Sequence, residues 1–227
     1  MNHEFGKLLV TCKDLSGLFD QGLVYIGGIA VYLHSANHES TKHLAEATHD
    51  ADFYISFSDM SDLREIEEVT PNRRLSKSQF IKNGFEFDIY TERISSLRVP
   101  YDDVLACAAQ YDDMKVACLE HLFVLKMEAF LDRQNSAKGG KDARDIMRIA
   151  SLANLVSRFD SDLITPYLDD AHYALFDKLR KSPEAIVLAN GNAVQAKAIR
   201  KNLDVLLSSI EASQGLPPCD DVPIPKY

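Results

Sequence analysis

The chain has 227 residues, of which 46% are hydrophobic and 26% charged; 25 basic against 34 acidic side chains leave a net charge of −9. That composition excludes collagen-like, disulfide-scaffold and wholly disordered classes, and leaves room for one large domain or two small ones. The acidity disfavours indiscriminate binding to nucleic acid, whose phosphates repel it at long range.

The charge is also uneven. Residues 1–112 hold 10 basic and 18 acidic groups, whereas residues 113–227 hold 15 and 16. At the N-terminus, Phe5, Leu8, Leu9, Cys12, Leu15, Leu18 and Phe19 recur at three- and four-residue steps, which predicts an amphipathic helix over 1–22. This opening mixes charges through its short apolar run and lacks the apolar core of a secretion signal. No stretch approaches the ~20 apolar residues that span a bilayer, so no membrane partner is expected. Cys12, Cys107, Cys118 and Cys219 lie far apart without CxxC spacing, and are expected to be reduced thiols in a cytoplasmic protein.

A short β-rich run, residues 23–26, is cut off by Gly27-Gly28, after which residues 29–34 begin a helix. Residues 35–47 read as a polar loop. Its His38 and His43 are five apart, which misses the HExxH spacing, so these histidines are expected at the surface or facing a ligand rather than on zinc. Two strands follow. Over 50–57, Ala51, Phe53, Ile55 and Phe57 share one face, and Asp50, Asp52, Tyr54 and Ser56 the other, wetter one. Over 84–91, Phe85, Phe87 and Ile89 alternate with Glu86, Asp88 and Tyr90. An acidic helix is expected at 59–69, and Arg73, Arg74, Lys77 and Lys82 read as a solvated basic loop, with RNA phosphates as the alternative role. After Asp112-Asp113 a helical stripe runs over 114–134, with further helices near 142–156, 160–169, 171–181 and 190–212. The tail holds four of the eight prolines and is expected to be extended.

The chemistry-bearing pattern is geometric. Asp50 and Asp52 project side by side from one strand face, and Asp88 has the same parity on a later strand. If the strands are neighbours, three carboxylates converge, and a hard divalent cation relieves their repulsion. Gly27-Gly28 ahead of a helix suits close backbone approach to a phosphate, although a plain turn has the same signature.

Taken in order, Gly27-Gly28, Thr48-His-Asp50-Ala-Asp52 and Phe-Glu-Phe-Asp88 resemble the nucleotidyltransferase superfamily with the DNA polymerase β-like fold. Lys126 and the Lys-Asp-Ala-Arg-Asp run from Lys141 to Asp145 resemble the K…KDxxD pattern of minimal nucleotidyltransferases related to AbiEii toxins. The loop before Thr48 departs from the family, offering His38, Lys42 and His43 where an Arg is usual. The resemblance implies an α+β fold: a nucleotidyltransferase-like mixed sheet with flanking helices, followed by a C-terminal helical bundle. It divides the chain into a catalytic domain (1–112), a helical domain carrying the Lys and KDxxD motifs (113–215) and a Pro-rich tail (216–227).

The same resemblance implies that Asp50, Asp52 and Asp88 are catalytic and bind Mg²⁺ or Mn²⁺. It places Gly27, Gly28, Thr48, Lys126, Lys141, Asp142 and Asp145 around the nucleotide. The activity implied is transfer of NMP from an NTP to an RNA (tRNA is one candidate) or protein acceptor, by the toxin of an AbiEii-like type IV toxin–antitoxin pair, with a cognate antitoxin as partner. Two alternatives are a degenerate member that only binds a nucleotide or a partner, and a metal phosphohydrolase using the same carboxylates.

Overall fold

The computed structural model describes residues 3–92, 95, 97–156 and 159–213. The Pro-rich tail and Cys219 lie outside the described residues. In chain order the elements are α1 (His3–Leu18), β1 (Val24–Ile26), α2 (Gly27–Ala36), β2 (Asp50–Ile55), α3 (Phe57–Ile66), β3 (Thr70–Asn72), β4 (Lys77–Lys82) and β5 (Phe85–Thr91). They continue as α4 (Tyr101–Ala106), β6 (Ala109–Tyr111), β7 (Met114–Val116), α5 (Leu119–Arg133), α6 (Ala137–Val156), α7 (Asp170–Tyr173), α8 (Phe176–Arg180), α9 (Glu184–Leu188) and α10 (Ala193–Ser213). The fold is α+β, with one mixed sheet, flanking helices and a helical C-terminal part.

The seven strands run in the order β3-β4-β5-β2-β1-β7-β6. β2 and β5 are parallel neighbours, while β1–β2 and β4–β5 are antiparallel. On one face of the sheet, Phe53, Phe80 and Phe87 cluster, Phe80 stacking on Phe87 with ring centroids 4.9 Å apart. Helix α1 closes this face: its Leu8, Cys12 and Leu15 are buried, and the Tyr25 hydroxyl donates to the Cys12 carbonyl at 2.8 Å. The same core continues into α5, α6 and α10 through Leu122, Phe123, Met127, Ile146, Met147, Ile149, Leu203 and Leu207, all fully buried. Among the described residues no helix is long and apolar enough to cross a membrane.

Several local expectations change. The strand expected at 50–57 ends at Ile55, because the Ser56 side chain accepts from the Asp59 amide and caps α3. Tyr54 does not face water: it is buried, and its hydroxyl donates to the Val99 carbonyl at 2.8 Å. Residues 114–116 are strand β7 rather than the first turn of a helix, since Val116 pairs with Tyr25 and the β6–β7 hairpin turns at Asp112-Asp113. The basic run is half sheet: Lys77 and Lys82 bound strand β4, while Arg73 and Arg74 lie in a 3₁₀ turn. Residues 160–169 form two short 3₁₀ turns instead of a helix, and the stretch 171–181 breaks into α7 and α8.

Candidate active site

The site begins with strand register. In the parallel β2–β5 pair Asp52 lies directly opposite Asp88, and Asp50 opposite Glu86. Paired residues share a face, so the expected convergence of Asp50, Asp52 and Asp88 on one side of the sheet is what the topology delivers. Helix α2 starts on Gly27 itself, two residues earlier than the sequence suggests, with extended Ile26 as its cap and no side chain bonding its first amides. Gly27 has φ +68, and a Cβ there would fall 2.2 Å from an Asp52 carboxylate oxygen. A Cβ on Gly28 would meet the Thr48 hydroxyl at 3.2 Å. The two glycines therefore let an uncapped helix N-terminus lie against Asp52 and Thr48.

The three carboxylates have different surroundings. Asp50 accepts from the Thr48 hydroxyl at 2.5 Å. Burial pushes its carboxyl up, but that hydrogen bond and the nearby Lys141 outweigh burial and hold it below the ordinary value. Asp52 is the crowded one. Among the described residues it accepts no side-chain hydrogen bond, and burial, then Asp50 and Asp88, push it up to about 6. Asp88 is engaged at both oxygens, by the Lys77 ammonium and by the Gln79 amide at 2.7 Å.

Two helices supply the cations. Lys126, on α5, is buried, with its ammonium 2.6 Å from Asp145 and 3.6 Å from Asp142. Burial works against its charge, yet Asp145 and then Asp142 overcome that and hold the ammonium above its ordinary value. Asp142 also takes a forked pair of bonds from Arg133, at 2.7 and 3.0 Å. Asp145, buried as well, is held low against the effect of burial by Lys126 and Arg148. On α6, Arg148 donates to Asp145 at 2.7 Å, to the Leu44 carbonyl at 2.7 Å and to Glu46. It thereby ties the loop before β2 to the helical half.

Lys141 differs from these residues. It is partly exposed and donates to the Thr48 hydroxyl at 3.3 Å; among the described residues it makes no direct ion pair. The structure thus places Lys126, Asp142 and Asp145 inside one buried ion-pair network, and Gly27, Gly28, Thr48 and Lys141 around Asp50 and Asp52. Sequence reasoning missed Gln79, did not place Arg148 among the site residues, and assigned Lys77 to a loop. Of the histidines, His34 is buried, bonded to the Ala117 carbonyl and the Tyr111 hydroxyl at 2.8 Å each.

The donor set suits a hard divalent cation. It offers oxygen ligands only, and Asp52 is a carboxylate raised by like charge and left without a hydrogen-bond donor. The oxygen donors on this face that would hold such an ion are Asp50, Asp52 and, opposite Asp52, Asp88. Among the described residues, however, no three carboxylate, imidazole or thiolate groups stand gathered as one ion's ligands. Asp88 is committed to Lys77 and Gln79 instead.

No family model and no curated protein matches the sequence. Likeness is found in three dimensions. An antigenic nucleotidyltransferase-like protein from Paracoccidioides brasiliensis superposes with a TM-score of 0.53 at 18% identity, over 84% of this chain and 94% of that one. An H. pylori protein provisionally assigned as a nucleotidyltransferase gives 0.52 at 14% identity, over 95% and 97%. The Megavirus polyadenylate synthase gives 0.50 at 12% identity over 66% of this chain, which spans only 32% of that enzyme. At such identities the likeness establishes a nucleotidyltransferase-like fold, and the chemistry rests on the residues.

Proposed function

We propose that the protein is a metal-dependent nucleotidyltransferase that moves NMP from an NTP to a hydroxyl of an RNA, with tRNA a candidate, or of a protein. The observation that carries this reading is the Asp52–Asp88 register pair, with Asp50 on the same face and Gly27-Gly28 against Asp52. Phosphohydrolase chemistry would use the same carboxylates, but the open α2 N-terminus and the unpaired Lys141 beside Asp50 favour a site that grips a polyphosphate. The further role, toxin of an AbiEii-like pair neutralised by an antitoxin protein, draws its support from the Lys126 and Lys141–Asp145 motif alone.

Each residue then has a task. The amides at the start of α2 and the Lys141 ammonium bind triphosphate oxygens. Asp50, Asp52 and Asp88 would hold Mg²⁺ or Mn²⁺, which when bound supplies positive charge to the triphosphate and acidity to the attacking hydroxyl. Asp88 accepts the proton of that hydroxyl. The acceptor oxygen forms a bond to the α-phosphorus, the α–β bridging bond breaks, and pyrophosphate leaves. Lys126, Asp142, Asp145 and Arg148 hold α5, α6 and the loop before β2 in place around this chemistry.

The test is incubation of the chain with Mg²⁺ and each labelled NTP, with and without total RNA. Labelled macromolecule is expected with the wild type and none with Asp50→Ala/Asp52→Ala. No transfer by the wild type, or undiminished transfer by the double variant, overturns the proposal.

A further inference from the structure

Strand β4 brings a cation to the site that nucleotidyl transfer does not require. Across β3, β4 and β5 a row of polar side chains leads to Asp88. Asn72 donates to the Gln79 side-chain oxygen at 2.9 Å, and Gln79 donates to one Asp88 oxygen at 2.7 Å. Lys77 donates to the other Asp88 oxygen, with side chains only 12% and 20% exposed, so water screens this pair weakly. As a strand fastener the pair is superfluous. β4 and β5 are already zipped from Ser78–Ile89 to Lys82–Phe85, with Phe80 stacked on Phe87. Its location is more telling, because Asp88 faces Asp52 across the parallel β2–β5 pair.

We propose that Lys77 is an internal counter-cation for the metal site. It aims and neutralises Asp88 when no divalent ion is bound, and the ion must outcompete it for the same carboxylate. This rests on the metal-binding reading above. Lys77 acts as a positioning residue: it lowers the affinity of the site for metal and makes the third ligand available only against competition. Gln79, fixed by Asn72, keeps Asp88 oriented once Lys77 releases it.

The experiment is a Mn²⁺ titration of the full chain, followed by electron paramagnetic resonance of the free ion. The Lys77–Asp88 bond is charge-assisted, and giving up one such bond to the ion corresponds to about a tenfold change in affinity. Lys77→Met is therefore expected to bind Mn²⁺ about tenfold more tightly than the wild type, and Lys77→Arg to restore the weaker binding. Structural damage would weaken binding, which is the opposite direction. Should Lys77→Met not fold, Lys77→Gln makes the same measurement. In an Asp88→Asn background the effect of Lys77→Met should shrink to within about twofold. Equal or weaker Mn²⁺ binding by folded Lys77→Met and Lys77→Gln overturns the inference and leaves the proposed function standing. No Mn²⁺ binding by the wild type or any variant overturns both.

Discussion

Replacing Asp52 with Asn should stabilise the apo protein while abolishing transfer. Asp52 lies between Asp50 and Asp88 and is pushed from 3.8 up to about 6. Because the folded pKa is the higher one, the unfolded chain ionises first. Stability from this residue is fullest below pH 3.8 and is lost as pH rises through about 6. The gap corresponds to about 3 kcal/mol of destabilisation at pH 8 and about half that at pH 5. Asn keeps the shape and removes the charge. In urea melts with EDTA, Asp52→Asn should thus gain up to about 3 kcal/mol at pH 8, and the gain should halve at pH 5. Adding Mg²⁺ should stabilise the wild type alone and narrow the difference. A variant less stable than the wild type at pH 8, or a gain that ignores pH, would refute the reasoning. It would mean that Lys126 and Lys77 already balance the Asp52 charge.

Other substitutions separate the parts of the site. Gly27→Ala meets both the φ of +68 and a contact of 2.2 Å with Asp52; it should cost about 1–3 kcal/mol in a thermal melt and eliminate NTP-dependent transfer. Lys126→Met leaves Asp145 and Asp142 buried beside a missing partner, so a loss of about 3–5 kcal/mol is expected in urea unfolding. Lys141→Met, at a partly exposed position, should change stability by less than about 0.5 kcal/mol. Its effect should appear instead as weaker NTP binding by calorimetry, about tenfold for one lost phosphate contact. Arg148→Met frees the Leu44 carbonyl and Asp145 at once. It should cost about 3 kcal/mol or more and speed hydrogen exchange at residues 42–49.

The acidic half of the site was legible because strands alternate with a period of two. Ala51, Phe53 and Ile55 against Asp50 and Asp52, and Phe87 and Ile89 against Asp88, fix the facing of each carboxylate before any partner is known. Strand neighbourhood was not legible, since nothing local makes β5 choose β2. β4 escaped notice because its polar face carries Ile81, 70% exposed, which blurs the alternation of Ser78 and Phe80 with Lys77 and Gln79. β3 contains Pro71, a residue that reads as a break and is tolerated only at a sheet edge, where β3 lies. On the helices, Lys126 and the run from Lys141 to Asp145 were visible as charged motifs. Which of these charges cancel one another is a matter of tertiary distance. Only the fold shows that Lys126 is spent on Asp145 while Lys141 keeps an ammonium without an ion-pair partner.

The tether from Arg148 to the loop at Leu44 and Glu46 also sets an order in time. A chain leaving the ribosome has exposed Asp50, Asp52 and Asp88 before α5 and α6 exist, yet the groups that anchor the loop ahead of β2 lie beyond residue 140. Strand β7, the second neighbour of β1, also comes later, at Met114–Val116. The nascent N-terminal portion is therefore an acidic, incompletely paired sheet. Synthesis itself delays the anchoring of this loop until α6 has been made.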